Sequence, residues 1–398
     1  MSSHLRRNVL AAAAGSAHLA FALANPANAL DILPTFSSSI TGASDASAIE
    51  SAIDTASSAL DSLFSNSFNV PILFEAVHDG TNGFIAGSES SYYADSYSGY
   101  ASLLKGAAAA NPANTILNAA VANLRYGNKG GTDGIVAANT VFQALGVRAS
   151  SVPGEYNASG SYVGPGGAYD GVILINIDQP LTFTQPVPTY NGSNLTFDGA
   201  RAIEHEIDEV LGGGGSGSTL NDIAEYGKNN PYDAFTYYEG PLDLYRYSGA
   251  HVPSFSTSSS ATAYFSVNGG VTDIVGFNQY SQGDFGDFGP TTSVCAGGAY
   301  LGGPAGLIQD AFTCNNQTGE KFTSASPEYK MLEALGYDPA KSSSETLSGL
   351  CCAAGSGQLS AVNPFATPEL STWAMMALGF AGLGFAGYRR ARVAVSTA

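Results

Sequence analysis

Apolar positions at helical spacing predict three helices in this chain. Residues 45–64 carry apolar side chains three and four positions apart behind Asp45, a candidate N-cap. Residues 198–211 repeat the pattern, with Asp198 as the cap and Gly212 as the residue that ends the helix in a left-handed turn. A last helix is expected at 326–335, where the proline suits the first turn.

Short apolar runs predict the strands between these helices. The clearest run is 171–177, which is rich in β-branched residues and lies between two aspartates. Further strands are expected at 70–77 and 263–267, and residues 114–146 read as helical or mixed. This order predicts an α+β domain over about 30–340, with helix 198–211 dividing it into an upper and a lower half.

Composition excludes two broad classes. The chain has 398 residues, of which 44% are hydrophobic and 12% charged, so a mostly disordered, charge-rich protein is excluded. Fifteen Lys and Arg stand against 33 Asp and Glu, which gives a net charge of −18. Because binding to phosphate backbones needs a basic surface, no nucleic-acid partner is expected.

The N-terminal 29 residues have the organisation of a signal peptide. Arg6 and Arg7 precede an apolar stretch over 9–23, and Ala27-Asn28-Ala29 forms a small-x-small cleavage site. The arginine pair is also compatible with twin-arginine export. A buried Ala-rich helix is the alternative. We expect export, with the mature chain beginning near Leu30.

The C-terminal segment has the composition of a membrane helix. Residues 373–388 carry no charge and are followed by Arg389-Arg390. Thr367-Pro368-Glu369-Leu370 precedes them, and this order closely resembles the PEP-CTERM sorting tail of Gram-negative bacteria, although Leu370 stands where that family usually has a second proline. The resemblance covers 367–398, behind a Ser/Gly-rich linker at 341–366.

The resemblance implies a route and a destination. An exosortase-type enzyme would cut at the motif, after a transient stage in which the C-terminal helix anchors the protein in the inner membrane. The protein would then reside at the cell surface or outside the cell. A plain C-terminal anchor is the alternative.

Four cysteines suit an oxidising compartment. Cys295 and Cys314 could close a loop, whereas Cys351 and Cys352 are adjacent and would bridge each other only with strain. The adjacent pair could instead bond to the other two, or to another chain. No C-x-x-C pair is present, so a thiolate zinc site is not expected.

Helix 198–211 carries the candidate chemistry in the sequence HEIDEVLG. At about 100° per residue, His205 and Glu209 point about 40° apart and lie one turn apart, so both can reach one metal ion. Glu206 could hold a water molecule that the metal polarises and act as general base. Isoleucine, valine and leucine side chains on the other side would pack against the core.

This pattern resembles the H-E-x-x-H helix of zincin metalloproteases, with Glu209 at the place of the second histidine. Gly212 matches the glycine of the longer metzincin motif, whereas its last ligand position falls on Gly215. Residues 242–248 (LDLYRYS) lie where the family has the turn under the metal. With GDFGDF at 283–288 and the sorting tail, the chain resembles PEP-CTERM-linked metalloproteases, which implies a zincin-like catalytic domain with a mixed sheet, zinc as cofactor and a protein or peptide substrate.

The third metal ligand is left open by the sequence. The third ligand must come from elsewhere in the chain, because position 215 has no side chain. The first candidates are Asp222, Asp243 and His251. The remaining candidates are Asp233, Asp208, Tyr245 and Tyr247. Either tyrosine could instead donate a hydrogen bond to the oxyanion of a tetrahedral intermediate.

Two functions follow as hypotheses. The first is an exported metal-dependent peptidase, with Glu206 as base and zinc on His205 and Glu209; no serine-hydrolase elbow, P-loop or dinucleotide motif offers another enzyme class. The second is a non-catalytic cell-surface or biofilm-matrix protein that uses a zincin-like fold for binding, in which case the acidic helix face would be solvated. Asp284 and Asp287 are candidate calcium ligands, or simply part of a turn.

Overall fold

The computed structural model describes residues 30–340, except 82, 125–133, 148–153, 157–161, 190, 192, 194, 232–233, 290–305, 314 and 317. The predicted signal peptide, linker and sorting tail lie outside the described residues, as do all four cysteines and Asp233. Within the described part of the chain, no helix has the length and apolar character needed to cross a bilayer.

Short strands and helices alternate along the chain. The strands are β1 Asp31–Phe36, β2 Asn69–Val77, β3 Ala86–Ser90, β4 Tyr92–Ser96, β5 Gly134–Ala138, β6 Gly154–Tyr156, β7 Tyr162–Gly167, β8 Gly171–Asn176, β9 Leu181–Thr182, β10 Phe197–Asp198, β11 Arg246–Gly249, β12 Val252–Pro253, β13 Tyr264–Phe265 and β14 Val275–Gly276. The α-helices are α1 Ser38–Thr41, α2 Ala46–Asp61, α3 Tyr97–Ala110, α4 Thr115–Ala122, α5 Asn139–Ala144, α6 Gly199–Val210, α7 Leu220–Tyr226 and α8 Pro327–Leu335. Three 3₁₀ helices occupy Gly214–Gly217, Ala234–Tyr237 and Pro241–Tyr245.

A four-stranded mixed sheet, in the order β1-β2-β8-β3, organises the N-terminal half. β1, β2 and β8 run parallel, and β3 is antiparallel at the edge. Every residue of β8 is buried, which explains its continuous apolar sequence, because such a strand is covered on both faces. The α+β class and the mixed sheet are therefore confirmed.

Helix α6 lies against this sheet and α2, and its nearest strand is β3. Its apolar residues Ile203, Ile207, Val210 and Leu211 are fully buried in the main core. The C-terminal half closes over the other side of the helix: Tyr337, just after α8, donates a hydrogen bond to Leu211 O at 2.8 Å. The helix is thereby enclosed by both halves of the domain.

The long periodic segments agree closely with the predicted bounds. Helices α2 and α6 begin and end within three residues of the predicted ranges, and β2 and β8 within one. Asp45 precedes α2, but its side chain makes no capping hydrogen bond. The mixed segment 114–146 contains α4, β5 and α5 in its described part.

Candidate metal centre

Helix α6 is buried on its polar side as well as on its apolar side. Asp198 caps it by accepting a hydrogen bond from Arg201 N at 3.1 Å. His205, Glu206 and Glu209 are at most 3% exposed. The alternative of a solvated acidic face is therefore wrong, because the residues that would face water lie inside the domain.

Four consecutive glycines after α6 allow the backbone to pack directly on this polar side. Gly212 has φ +95°, so it makes the left-handed turn that ends the helix. A Cβ atom at Gly213 would lie 2.5 Å from Asp208 Oδ2, and one at Gly215 would lie 2.6 Å from Glu209 Oε1. At Gly214 it would collide with the Gln309 amide. The glycine run thus forms a wall of backbone over the carboxylates.

Three side chains converge beneath this wall. His205 Nε2 lies 3.9 Å from Glu209 Oε1 and 3.8 Å from Asp287 Oδ2, and the three potential ligand atoms all lie within 4.8 Å of one another. Two ligands of one zinc ion, each about 2.1 Å from it at a tetrahedral angle, would be about 3.4 Å apart. A small contraction would therefore suffice to bind a single ion.

The imidazole of His205 is oriented for metal binding. Its Nδ1 lies 2.9 Å from Ile308 O, an interaction that places the proton on Nδ1 and turns Nε2 towards Asp287 and Glu209. Burial, together with the positive charge of Arg201, lowers the pKa of His205 to about 3, although the hydrogen bond to Ile308 opposes the shift. The ring is therefore neutral at physiological pH, as a metal ligand must be.

The carboxylate of Glu209 is held by two donors from different elements. Ser88 Oγ, on β3, donates to Oε2 at 2.6 Å, and Gly215 N donates to Oε1 at 3.1 Å. Burial, together with the negative charge of Asp284, raises the pKa of Glu209 to about 8, although the hydrogen bonds from Ser88 and Gly215 oppose the shift. Glu206 lies three positions before Glu209 on the same helix, so the two side chains are neighbours on its surface.

The third member of the group comes from the loop 283–289. Asp287 is fully buried, and its Oδ1 accepts a hydrogen bond from Gln309 Nε2 at 3.0 Å. Its backbone is fixed by Asn278 N, which donates to Asp287 O at 2.8 Å. Asp284, the other aspartate of this loop, accepts a hydrogen bond from Asn221. Of the two aspartates considered for calcium, Asp287 thus lies in the same group as His205 and Glu209.

The candidates for the third ligand lie elsewhere. Asp243 accepts hydrogen bonds from Ser218 Oγ at 2.6 Å and from the backbone N–H groups of Thr219 and Gly240, both at 3.0 Å. It joins two turns. His251 is exposed on a turn with φ +59°, and Asp222 is buried in the first turn of α7. In the described part of the chain, the group of potential ligands contains Asp287 in place of these three.

The other residues considered as the third ligand also have contacts or burial that give them a structural role. Tyr245 OH donates to Ala334 O at 3.3 Å, which anchors the tyrosine to α8. Residues 242–248 form the end of a 3₁₀ helix and the start of β11. Asp208 is fully buried, and its pKa is raised well above the ordinary value by burial and by Glu328 and Glu209.

Charge balance in the interior favours a bound cation. Among the described residues, twelve Asp and Glu are buried, against three Lys and Arg. Buried carboxylates are costly unless they are protonated, paired or bound to a metal. One imidazole nitrogen and two carboxylate oxygens form a donor set that zinc accepts, and the oxygen ligands shift the preference towards harder ions. The residues present therefore fit a divalent metal ion.

Sequence patterns did not indicate two residues that contact this group. Ser88 lies on an ordinary edge strand, and Gln309 lies in a short segment with no motif. Asp287 was visible only as part of the glycine-flanked GDFGDF repeat.

No family model, curated protein or solved structure matches this chain.

Proposed function

We propose that the protein is a metal-dependent peptidase with a zincin-like domain. The observation that supports this most strongly is the convergence of His205 Nε2, Glu209 Oε1 and Asp287 Oδ2 within 4.8 Å, two of them on the helix that carries the His205-Glu206 pair. A divalent ion at this point would polarise a water molecule and the carbonyl group of a peptide.

The roles of the protein groups follow from their contacts. Ile308 O holds the imidazole in the orientation that presents Nε2, and Ser88 and Gly215 hold the Glu209 carboxylate. Glu206, three positions before Glu209 on the same helix, is the candidate general base, which would take a proton from water and pass it to the leaving amine. Exclusion of bulk water from this buried site strengthens these electrostatic interactions.

Export and surface anchoring belong to the same proposal. The signal-peptide pattern at 1–29 and the PEP-CTERM-like tail at 367–398 support an exported protein that an exosortase-type enzyme processes. Its substrate would then be a protein or peptide at the cell surface or outside the cell.

A second candidate is favoured by the burial of the site. All three potential ligands are at most 3% exposed, whereas catalytic zinc sites keep an open position for water or substrate. A closed site would suit a metal-stabilised surface or biofilm-matrix module without catalytic activity.

Substitutions of the purified full-length protein separate these candidates. We expect about one equivalent of zinc by elemental analysis and cleavage of a fluorescent casein substrate. Glu206→Gln should abolish cleavage while keeping the metal, and His205→Ala should lose both. Glu225→Gln, on the exposed side of α7, is the matched control and should change neither. Zinc that raises the melting temperature without any cleavage would favour the module.

A further inference from the structure

Gln309 places its side-chain amide across the candidate metal centre. Its Nε2 lies 3.2 Å from His205 Nε2 and 3.0 Å from Asp287 Oδ1. The residue is fully buried, and its Oε1 has no hydrogen-bond partner among the described residues. One end of the amide therefore contacts two of the three potential ligands, while the other end is a buried acceptor that receives no hydrogen bond from the described part of the chain.

The amide nitrogen occupies a position that suits a cation. Because His205 Nδ1 carries its proton towards Ile308 O, His205 Nε2 is an acceptor, and Asp287 Oδ1 is an acceptor as well. An NH₂ group facing two acceptors satisfies them in the way that a metal ion would. In its present orientation, the Gln309 NH₂ group would therefore compete with a metal ion for His205 and Asp287.

The backbone around Gln309 is fixed, so its side chain can change without moving the chain. Gln309 N donates to Glu328 Oε1 at 3.0 Å, and Gln309 O accepts from Phe288 N at 2.7 Å. The neighbouring Ile308 carbonyl orients His205. The terminal torsion of a glutamine side chain has a broad, roughly two-fold preference, so the amide can turn over at little torsional cost, and contact with the ion would replace its hydrogen bonds to His205 and Asp287.

We infer that Gln309 is the fourth ligand of the metal. On metal binding its amide turns over, withdraws its NH₂ group from His205 and Asp287, and directs Oε1 to the ion. The donor set is then one imidazole nitrogen, two carboxylate oxygens and one amide oxygen, a number that suits tetrahedral zinc. This inference rests on the proposed metal centre, but not on peptidase activity. Four protein ligands fill a tetrahedral site, so catalysis would also need a fifth position for water, to which catalytic zinc can expand.

Three variants of the full-length protein test the assignment through zinc affinity, measured by competition with a chromophoric chelator. Gln309→Glu replaces the NH₂ group with a second oxygen and should tighten Zn²⁺ binding about tenfold. Gln309→Met keeps the length but has no oxygen, and should weaken binding about tenfold. Gln279→Met is the matched control, because Gln279 is also buried with an Oε1 that lacks a partner among the described residues, outside the site; it should leave affinity unchanged.

A role limited to supporting His205 and Asp287 gives a different pattern. In that case Gln309→Glu and Gln309→Met would weaken Zn²⁺ binding alike, and the assignment would be overturned. Unchanged affinity in both variants would overturn it too. The visible absorption of Co²⁺ in the wild-type protein and in Gln309→Met adds a spectroscopic readout, which should differ between the two if a ligand is lost.

The outcomes also separate this inference from the proposed function. Tight Zn²⁺ binding with the expected order of variants, but without cleavage of casein, supports Gln309 as a ligand and overturns the peptidase. Wild-type protein that binds no Zn²⁺ overturns both.

Discussion

Asp243 and Asp287 are both buried aspartates close to glycines, yet their carboxylates have opposite surroundings. Asp243 is surrounded by donors: one hydroxyl and two backbone N–H groups lie 2.6–3.0 Å from its oxygens. Asp287 accepts from the Gln309 amide, but its Oδ2 faces His205 Nε2 at 3.8 Å and lies near Glu209. A carboxylate that accepts several hydrogen bonds can connect two turns of the chain. A carboxylate that faces other acceptors can instead bind a cation.

The largest expected difference between the two aspartates is in Zn²⁺ affinity. Asp287→Asn should weaken Zn²⁺ binding more than about 100-fold, since loss of a direct ligand exceeds the typical effect of an outer partner. Asp243→Asn should leave Zn²⁺ affinity within about twofold, because this side chain lies outside the ligand group. Chelator competition measures both. Similar losses in the two variants would contradict the assignment of Asp287.

In metal-free protein, we expect the substitution of Asp243 to have the larger effect, which is on the free energy of unfolding. Asp243→Asn turns an NH₂ group towards buried donors, and should lower the free energy of unfolding by about 2 kcal/mol. Asp287→Asn removes a negative charge from an acid-rich interior, so it should leave this free energy unchanged or raise it. Urea denaturation followed by circular dichroism measures both variants. A larger loss for Asp287→Asn would show that its main role is structural.

A smaller effect is expected in the glycine run over the site. Gly214 has φ +50° and Gly146 has φ +85°, so alanine at either position should cost about 1–2 kcal/mol of backbone strain. A Cβ at Gly146 meets nothing within 4 Å, whereas one at Gly214 collides with the Gln309 amide. Gly214→Ala should therefore also weaken Zn²⁺ binding, and Gly146→Ala should not. Equal Zn²⁺ affinities would argue against close packing at Gly214.

The smallest expected effect is a pair of opposite pH dependences at the ends of β8. Burial raises the pKa of Asp170 to about 7, although a hydrogen bond from Gln143 opposes the shift. Its contribution to stability is present below the ordinary pKa of 3.8 and is lost as pH rises towards 7. The hydrogen bond between Asp178 and His78 lowers the pKa of Asp178, so its contribution is present above the ordinary value and is lost on acidification.

Two variants test these slopes by urea denaturation of metal-free protein across the acidic and neutral range. Asp170→Asn should flatten the loss of stability towards neutral pH. Asp178→Asn should reduce the loss of stability in acid. Identical pH profiles for wild type and Asp170→Asn would contradict the buried setting of this carboxyl group.

Local sequence patterns were sufficient for the element that carries the first two candidate ligands. The four-residue spacing of His205 and Glu209 places them on one side of any α-helix, and the cap at Asp198 and the turn at Gly212 fix where that helix begins and ends. The apolar run of β8 required burial on both faces. These features depend on residues that are close together in the sequence, so they can be predicted from the sequence alone.

The rest of the site depends on contacts between distant segments. Asp287, Gln309 and Ser88 reach the centre because a loop and an edge strand pack against α6, and no local period reports that packing. Burial of the polar side of α6 was missed for the same reason. A pattern of apolar and polar positions identifies the apolar face that packs on the core, but it does not reveal that another part of the chain covers the polar face.

The backbone wall over the carboxylates limits how the centre can be transferred to another protein. Gly214 O also lies against Gly286, where even a methyl group would collide with it, so the two glycine-flanked segments meet at main-chain distance. A grafted helix carrying only the imidazole and the carboxylate would lack both the opposing aspartate and the narrow gap that excludes bulk solvent. A transplant would have to include the four glycines and the 283–289 loop as one unit.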